Sequence, residues 1–114
     1  MADSDALQLI AEEFVRSLPE RMDGVDAAYL ALKQDSSNSD SMNDLYHKVH
    51  NLAGSSGTFG FKQFSDLART ILNILEPAIK GEVQLDDQIV SSVGPPLGEL
   101  VKEAASPVQI EDWL

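Results

Sequence analysis

No cysteine occurs in the 114 residues. That excludes a disulfide framework, thiol catalysis and cysteine-ligated zinc, and it suits a reducing compartment. Long apolar runs are missing too, and none approaches the roughly 18 residues of a membrane span. The opening Met1-Ala2-Asp3-Ser4-Asp5 lacks the basic and apolar regions of a signal peptide. A cytoplasmic location is therefore expected. Positive charge is scarce: eight basic residues face 19 acidic ones, for a formal net charge of −11. Such a chain repels phosphate backbones and anionic lipid, so neither nucleic acid nor a membrane surface is expected as a partner. No stretch alternates polar and apolar residues for long enough to make a sheet. No repeat and no low-complexity segment is present.

What remains is a series of helical patterns. The length suits one domain, residues 1–114, and 43% hydrophobic content is enough for a core. Ser4 is the expected N-cap of a first helix over residues 4–17, with Leu7, Ile10, Ala11, Phe14 and Leu18 at helical spacing. Pro19 breaks that pattern and opens a second helix to Lys33, its buried stripe being Met22, Val25, Ala28 or Tyr29, and Leu32. A polar connection, residues 34–40, leads to a third helix capped by Ser39 and running to about Thr58. A fourth runs from about Lys62 to Ile79, with Pro77 kinking or ending it and Gly81 as the stop. The fifth region, Asp86 to Ala105, is expected to be interrupted at Gly94-Pro95-Pro96. The tail, residues 106–114, is expected to dock on the bundle, a partner being the alternative. These patterns and short connections predict an all-α antiparallel helical bundle.

The most informative stretch runs from Tyr46 to Phe61 and holds both histidines and three of the seven glycines. Successive helical residues are roughly 100° apart, so Leu45, Val49, Leu52, Ser56 and Phe59 gather roughly 130° from His50. That side is the core. Asn43, Gly54 and Gly57 fall within about 40° of His50, on the outward face. Glycine costs a helix interior roughly 1 kcal/mol relative to alanine. Two of them beside an exposed imidazole allow another surface to come close. An exposed histidine near neutral pH is largely unprotonated and can act as a nucleophile. It can take an activated phosphoryl group and later give it up, with positioning and charge neutralisation supplied by the partner.

The run His50-Asn51-Leu52-Ala53-Gly54-Ser55-Ser56-Gly57-Thr58-Phe59-Gly60-Phe61 resembles the signature of histidine-containing phosphotransfer (HPt) domains. This family includes the phosphorylated domain of chemotaxis histidine kinases. The resemblance is good over the helix before the motif and the one after it, and the helix order fits most of the chain. It implies a four-helix bundle with an additional N-terminal helix. It also implies a phosphorelay intermediate with no catalytic activity of its own. Partners would be the receiver domain of a response regulator, a hybrid histidine kinase, or both. By this resemblance His50 is the phosphoacceptor, Gly54 the small position that lets a receiver approach, and Arg69 a basic position near the histidine. Any divalent metal would belong to the receiver, with no cofactor in this chain, and the domain is expected to be a monomer. One position departs from the pattern. Ala53 stands where the family usually has a lysine that helps hold the phosphoryl group, and Lys62 or Arg69 is the candidate replacement.

Other readings of the same residues lead elsewhere. His47 lies about 60° from His50 and reads as a solvated neighbour or a hydrogen-bond partner that tunes it. Asp44, His47 and His50 are spaced for a shared metal, but further ligands are needed and nothing points Asp66 or Glu76 towards them. The glycines mimic a phosphate-binding loop but lack its following Lys-Ser/Thr and any preceding strand. Two rival functions remain: a docking module that binds a receiver or kinase without transfer, and a small metal-binding bundle.

Overall fold

The computed structural model describes residues 2–114, with side chains from Ser4 onward. Four helices make up the fold among these described residues: α1 (Ala2–Gln34), α2 (Ser39–Thr58), α3 (Lys62–Ile79) and α4 (Asp87–Ala105). No strand occurs among the described residues. Each helix packs on its neighbour in the chain, and α1 closes the ring against α4. The contacts run in opposite directions: Phe14 and Gly24 of α1 meet Phe59 and Lys48, and Tyr29 meets Val90. This is the expected all-α antiparallel four-helix bundle.

The helices differ from expectation chiefly at the prolines. The separate helix over residues 4–17 and the one from Pro19 to Lys33 are a single α1, and the additional N-terminal helix is its first turns. Ser4 lies inside α1 and is not its cap. Likewise α4 runs unbroken through Gly94-Pro95-Pro96. A proline removes one N–H donor and crowds the carbonyl four residues back. Pro19 and Pro95 are exposed and Pro96 half-buried, and Ser91 and Ser92, whose carbonyls Pro95 and Pro96 would otherwise bond, face water. The apolar stripe meanwhile stays in phase on both sides. Ala11, Phe14 and Leu18 continue as Met22 and Val25, and Val90 and Val93 continue as Leu97 and Leu100, all buried. Burial of a continuous face outweighs the lost bonds.

Residues at the helix ends explain the turns. Asn38, and not Ser39, caps α2, its Oδ1 accepting from the Ser41 N–H at 3.1 Å. Asp86 caps α4 in the same way through the Ile89 N–H at 2.9 Å. Pro77 falls in the last turn of α3, and Gly81 follows at φ 74°, a left-handed value suited to glycine. Leu7 and Ile10 sit on the expected stripe yet are 42% and 48% exposed. The cause is length. At about 1.5 Å per residue the 33 residues of α1 span the long dimension of the 50 × 24 × 21 Å molecule, whereas α2–α4 have only 18–20. The first turns of α1 therefore run past the bundle.

The tail docks at this same end. Its Ile110 N–H donates to the Gly60 carbonyl at 2.9 Å, and Gln109 Nε2 donates to the Phe59 carbonyl at 2.8 Å. Trp113 meets Phe59 edge-on at 6.2 Å and lies on Gly60, where a Cβ would come within 2.2 Å of its own Cβ. Gly60 is thus required twice, for that approach and for its φ of 81°. No helix among the described residues is long and apolar enough to cross a membrane.

Candidate functional site

The buried stripe of α2 decides which side chains reach solvent. Leu45, Val49, Leu52 and Ser56 are buried, so His47 and His50 are turned outward and are exposed. Ser56 is tolerated in the core because its hydroxyl donates to the Leu52 carbonyl at 2.6 Å. Tyr46 is half-buried against the core and holds both imidazoles. His50 stacks on it, with ring centroids 6.1 Å apart and planes 23° apart, while His47 meets it edge-on at 6.2 Å. An exposed imidazole is therefore oriented by an anchored aromatic.

Gly54 and Gly57 differ from each other. A Cβ at Gly54 would meet nothing within 4 Å, so this position is open. At Gly57 it would lie 3.2 Å from Ser65 Oγ and 3.7 Å from Arg69 Nη2. Gly57 thus makes room for α3 as well as leaving the surface bare. Arg69 is tied into this corner: its Nε donates to Ser65 Oγ at 3.3 Å, and that hydroxyl donates to the Ala53 carbonyl at 2.9 Å. Ala53 itself is only 4% exposed, in the seam with α3 and off the open face. Lys62 has other company. It pairs with Asp66 at 2.7 Å and lines a depression with Val108 and Ile110 of the tail. Asp44 pairs with Lys48, and among the described residues no group of three or more His, Cys, Asp or Glu side chains gathers as metal ligands would.

His50, Asn51, Gly54, Ser55 and Thr58 form the floor of an open groove between α2 and α1. Phe59 closes one end, and Arg21 of α1 forms part of the wall. Arg21 and Asn51 also line the next depression along this seam, with Glu20, Gly24, Lys48 and Leu52. Sequence reasoning missed Arg21. Its Nε donates to Ser17 Oγ at 2.8 Å, and its guanidinium lies 5.7 Å from the Phe14 ring centroid. The Ser17–Arg21 spacing is visible in the chain, but which groove that flank of α1 faces depends on how α1 packs on α2.

Known proteins are similar to this chain in sequence. The sequence pattern of the Hpt domain matches residues 9–112. The chain is 31% identical over 74 residues to chemotaxis protein CheA of Halobacterium salinarum, covering 65% of this chain and 11% of that protein. It is 26% identical over 80 residues to CheA of Salmonella typhimurium, covering 70% and 12%. For CheA of Listeria monocytogenes the identity is 22% over 80 residues, covering 70% and 13%. The chain thus spans about an eighth or less of these relatives' length. With the family pattern over nearly its whole length and a four-helix bundle beneath it, the chain belongs to the Hpt domain family.

Proposed function

We propose that this domain is a phosphocarrier of a two-component relay. His50 takes a phosphoryl group from a receiver-domain aspartate or a histidine kinase and hands it to a response regulator. The observation that carries this reading is the exposed His50 ring, stacked on Tyr46, beside a Gly54 position open for 4 Å around. An unprotonated ring nitrogen attacks phosphorus in line. The nitrogen–phosphorus bond forms as the bond from phosphorus to the donor's carboxylate oxygen breaks, and the carboxylate leaves with the electron pair. The other ring nitrogen keeps its hydrogen, so the imidazole becomes cationic beside the phosphoryl group. The reverse step onto a second aspartate empties it. A receiver would seat over His50, Gly54 and Gly57 and the adjoining C-terminal half of α1, and would bring the divalent metal. The domain itself supplies no catalysis and no cofactor. It works as a cytoplasmic monomer, with neither nucleic acid nor membrane as a partner.

The test is incubation with a phosphorylated receiver, followed by mass spectrometry under conditions that spare acid-labile phosphate. Label is expected on His50, with none on the His50→Gln variant. Label retained by that variant sinks the assignment. Stable binding with no transfer identifies a docking module instead.

A further inference from the structure

We infer that Arg21 is the cation that binds the phosphoryl group on His50, in place of a side chain from position 53. The inference rests on the proposed phosphorylation of His50. Its basis is the groove itself. In a chain of net charge −11, the only charged side chain among the described residues that lines the groove of His50 is a cation, Arg21. Among the described residues Arg21 has no carboxylate partner, whereas Lys48, Lys62, Lys80 and Lys102 are each spent on an acid of their own helix. Its Nε donates to Ser17 Oγ at 2.8 Å and its guanidinium lies 5.7 Å from the Phe14 ring centroid, while among the described residues its terminal nitrogens make no hydrogen bond and can turn along the groove towards His50. Glu20 lines the neighbouring depression and not this one.

Position 53 supplies no charge in this chain. Ala53 is buried in the α2–α3 seam, and its carbonyl accepts from Ser65. Arg69 comes from the α3 side, where its Nε is tied to Ser65 and its guanidinium lies beside Gly57. Arg21 lines the groove of His50 from the α1 side. A guanidinium matches phosphoryl oxygens with paired N–H donors, and such charged bonds are roughly twice as strong as neutral ones. It stabilises the loaded state and offsets the repulsion between an anionic donor and this acidic protein.

The experiment needs no protein partner. Phosphoramidate is the probe: its phosphorus–nitrogen bond breaks, ammonia leaves, and the imidazole nitrogen–phosphorus bond forms. Arg21→Met keeps the apolar stem over Phe14 and removes the charge. Labelling of His50 is expected to slow by about 3- to 10-fold, the modest end for a charged bond in a groove open to water. In ³¹P NMR, the pH midpoint of the phosphoryl group should rise in Arg21→Met and return towards wild type in Arg21→Lys. A purely structural role would move neither midpoint. Thermal melting of each variant, expected to match wild type, guards against misfolding. An unchanged midpoint in Arg21→Met, or an equal rise in Arg69→Met, overturns the inference. Absence of label on His50 in the wild-type protein overturns this inference and the proposed function together, whereas label equal in wild type and Arg21→Met overturns this inference alone.

Discussion

Gly54 costs α2 about 1 kcal/mol relative to alanine, and nothing packs where its side chain would be. Gly54→Ala should therefore raise unfolding stability by up to about 1 kcal/mol, as read by urea titration. Gly57→Ala should show no such gain, because its Cβ would press Ser65 Oγ from 3.2 Å and disturb the bonds to Ala53 and Arg69. A long side chain separates stability from function. Gly54→Gln should leave phosphoramidate labelling of His50 intact and slow transfer from a phosphorylated receiver on the order of 10- to 100-fold, since small misplacements of reacting groups are costly. Equal transfer rates would mean that no partner surface approaches Gly54. Much of this site was legible in the chain. Angular position along one helix separates His50 and Gly54 from the buried Val49 and Leu52 without any structure. Arg21 was not, because periodicity fixes rotation within a helix and says nothing of which neighbour a flank will meet. Ala53 shows the same limit. Its angle places it near His50, but α3 covers that flank.

Tyr29 couples α1 to α4, and its hydroxyl sits where the helix-breaking residues of α4 were expected to end a helix. It donates to the Val90 carbonyl at 2.9 Å, and Gly94 leaves room for it, since a Cβ there would lie 3.3 Å from the oxygen. Burial raises the Tyr29 pKa above its usual 10.0. The folded state thus favours the neutral phenol. This contribution is fully present below pH 10 and is lost as pH climbs from there through the folded-state value. Tyr29→Phe should cost about 0.5–1.5 kcal/mol at pH 7 through the missing bond. It should also lose less stability than wild type between pH 10 and 11. Denaturant titrations at pH 7, 9, 10 and 11 read both effects, and parallel curves above pH 10 would show that Tyr29 is not the group responsible. At this scale most of the fold was readable: α2 and α3 and the docked tail follow from apolar spacing, turn residues and a terminal tryptophan. The errors came from giving Pro19 and Pro95-Pro96 more weight than the phase of the stripe around them. Leu18 to Met22 and Val93 to Leu97 are each one four-residue step, which a break in the helix would have spoiled.

The whole molecule carries an electrostatic load that local pairing does little to relieve. The four ion pairs among the described residues, Lys48–Asp44, Lys62–Asp66, Lys80–Glu76 and Lys102–Glu99, are each exposed and confined to one helix. Such pairs contribute about 0–1 kcal/mol apiece and none of them ties two helices together. Against them stands a net charge of −11 within a body only 24 × 21 Å in cross-section. The Debye length is about 30 Å at 10 mM salt, so at low salt repulsion acts across the entire bundle, and at about 10 Å in 0.1 M it is confined to near neighbours. Screening weakens the pairs and the repulsion alike, but repulsion involves many more partners and is the only one of the two that opposes compaction. The melting temperature at pH 7 should accordingly rise by about 3–6 °C between 10 mM and 300 mM sodium chloride, the shift expected for a gain near 1 kcal/mol in a domain this size. Circular dichroism melts at those two salt concentrations decide the matter. A melting temperature that falls with salt would place the balance with the ion pairs. On the proposed function the same field would act on an incoming anionic phosphoryl donor, and the Arg21 guanidinium lining the groove of His50 would then carry more weight in this molecule than in a neutral one.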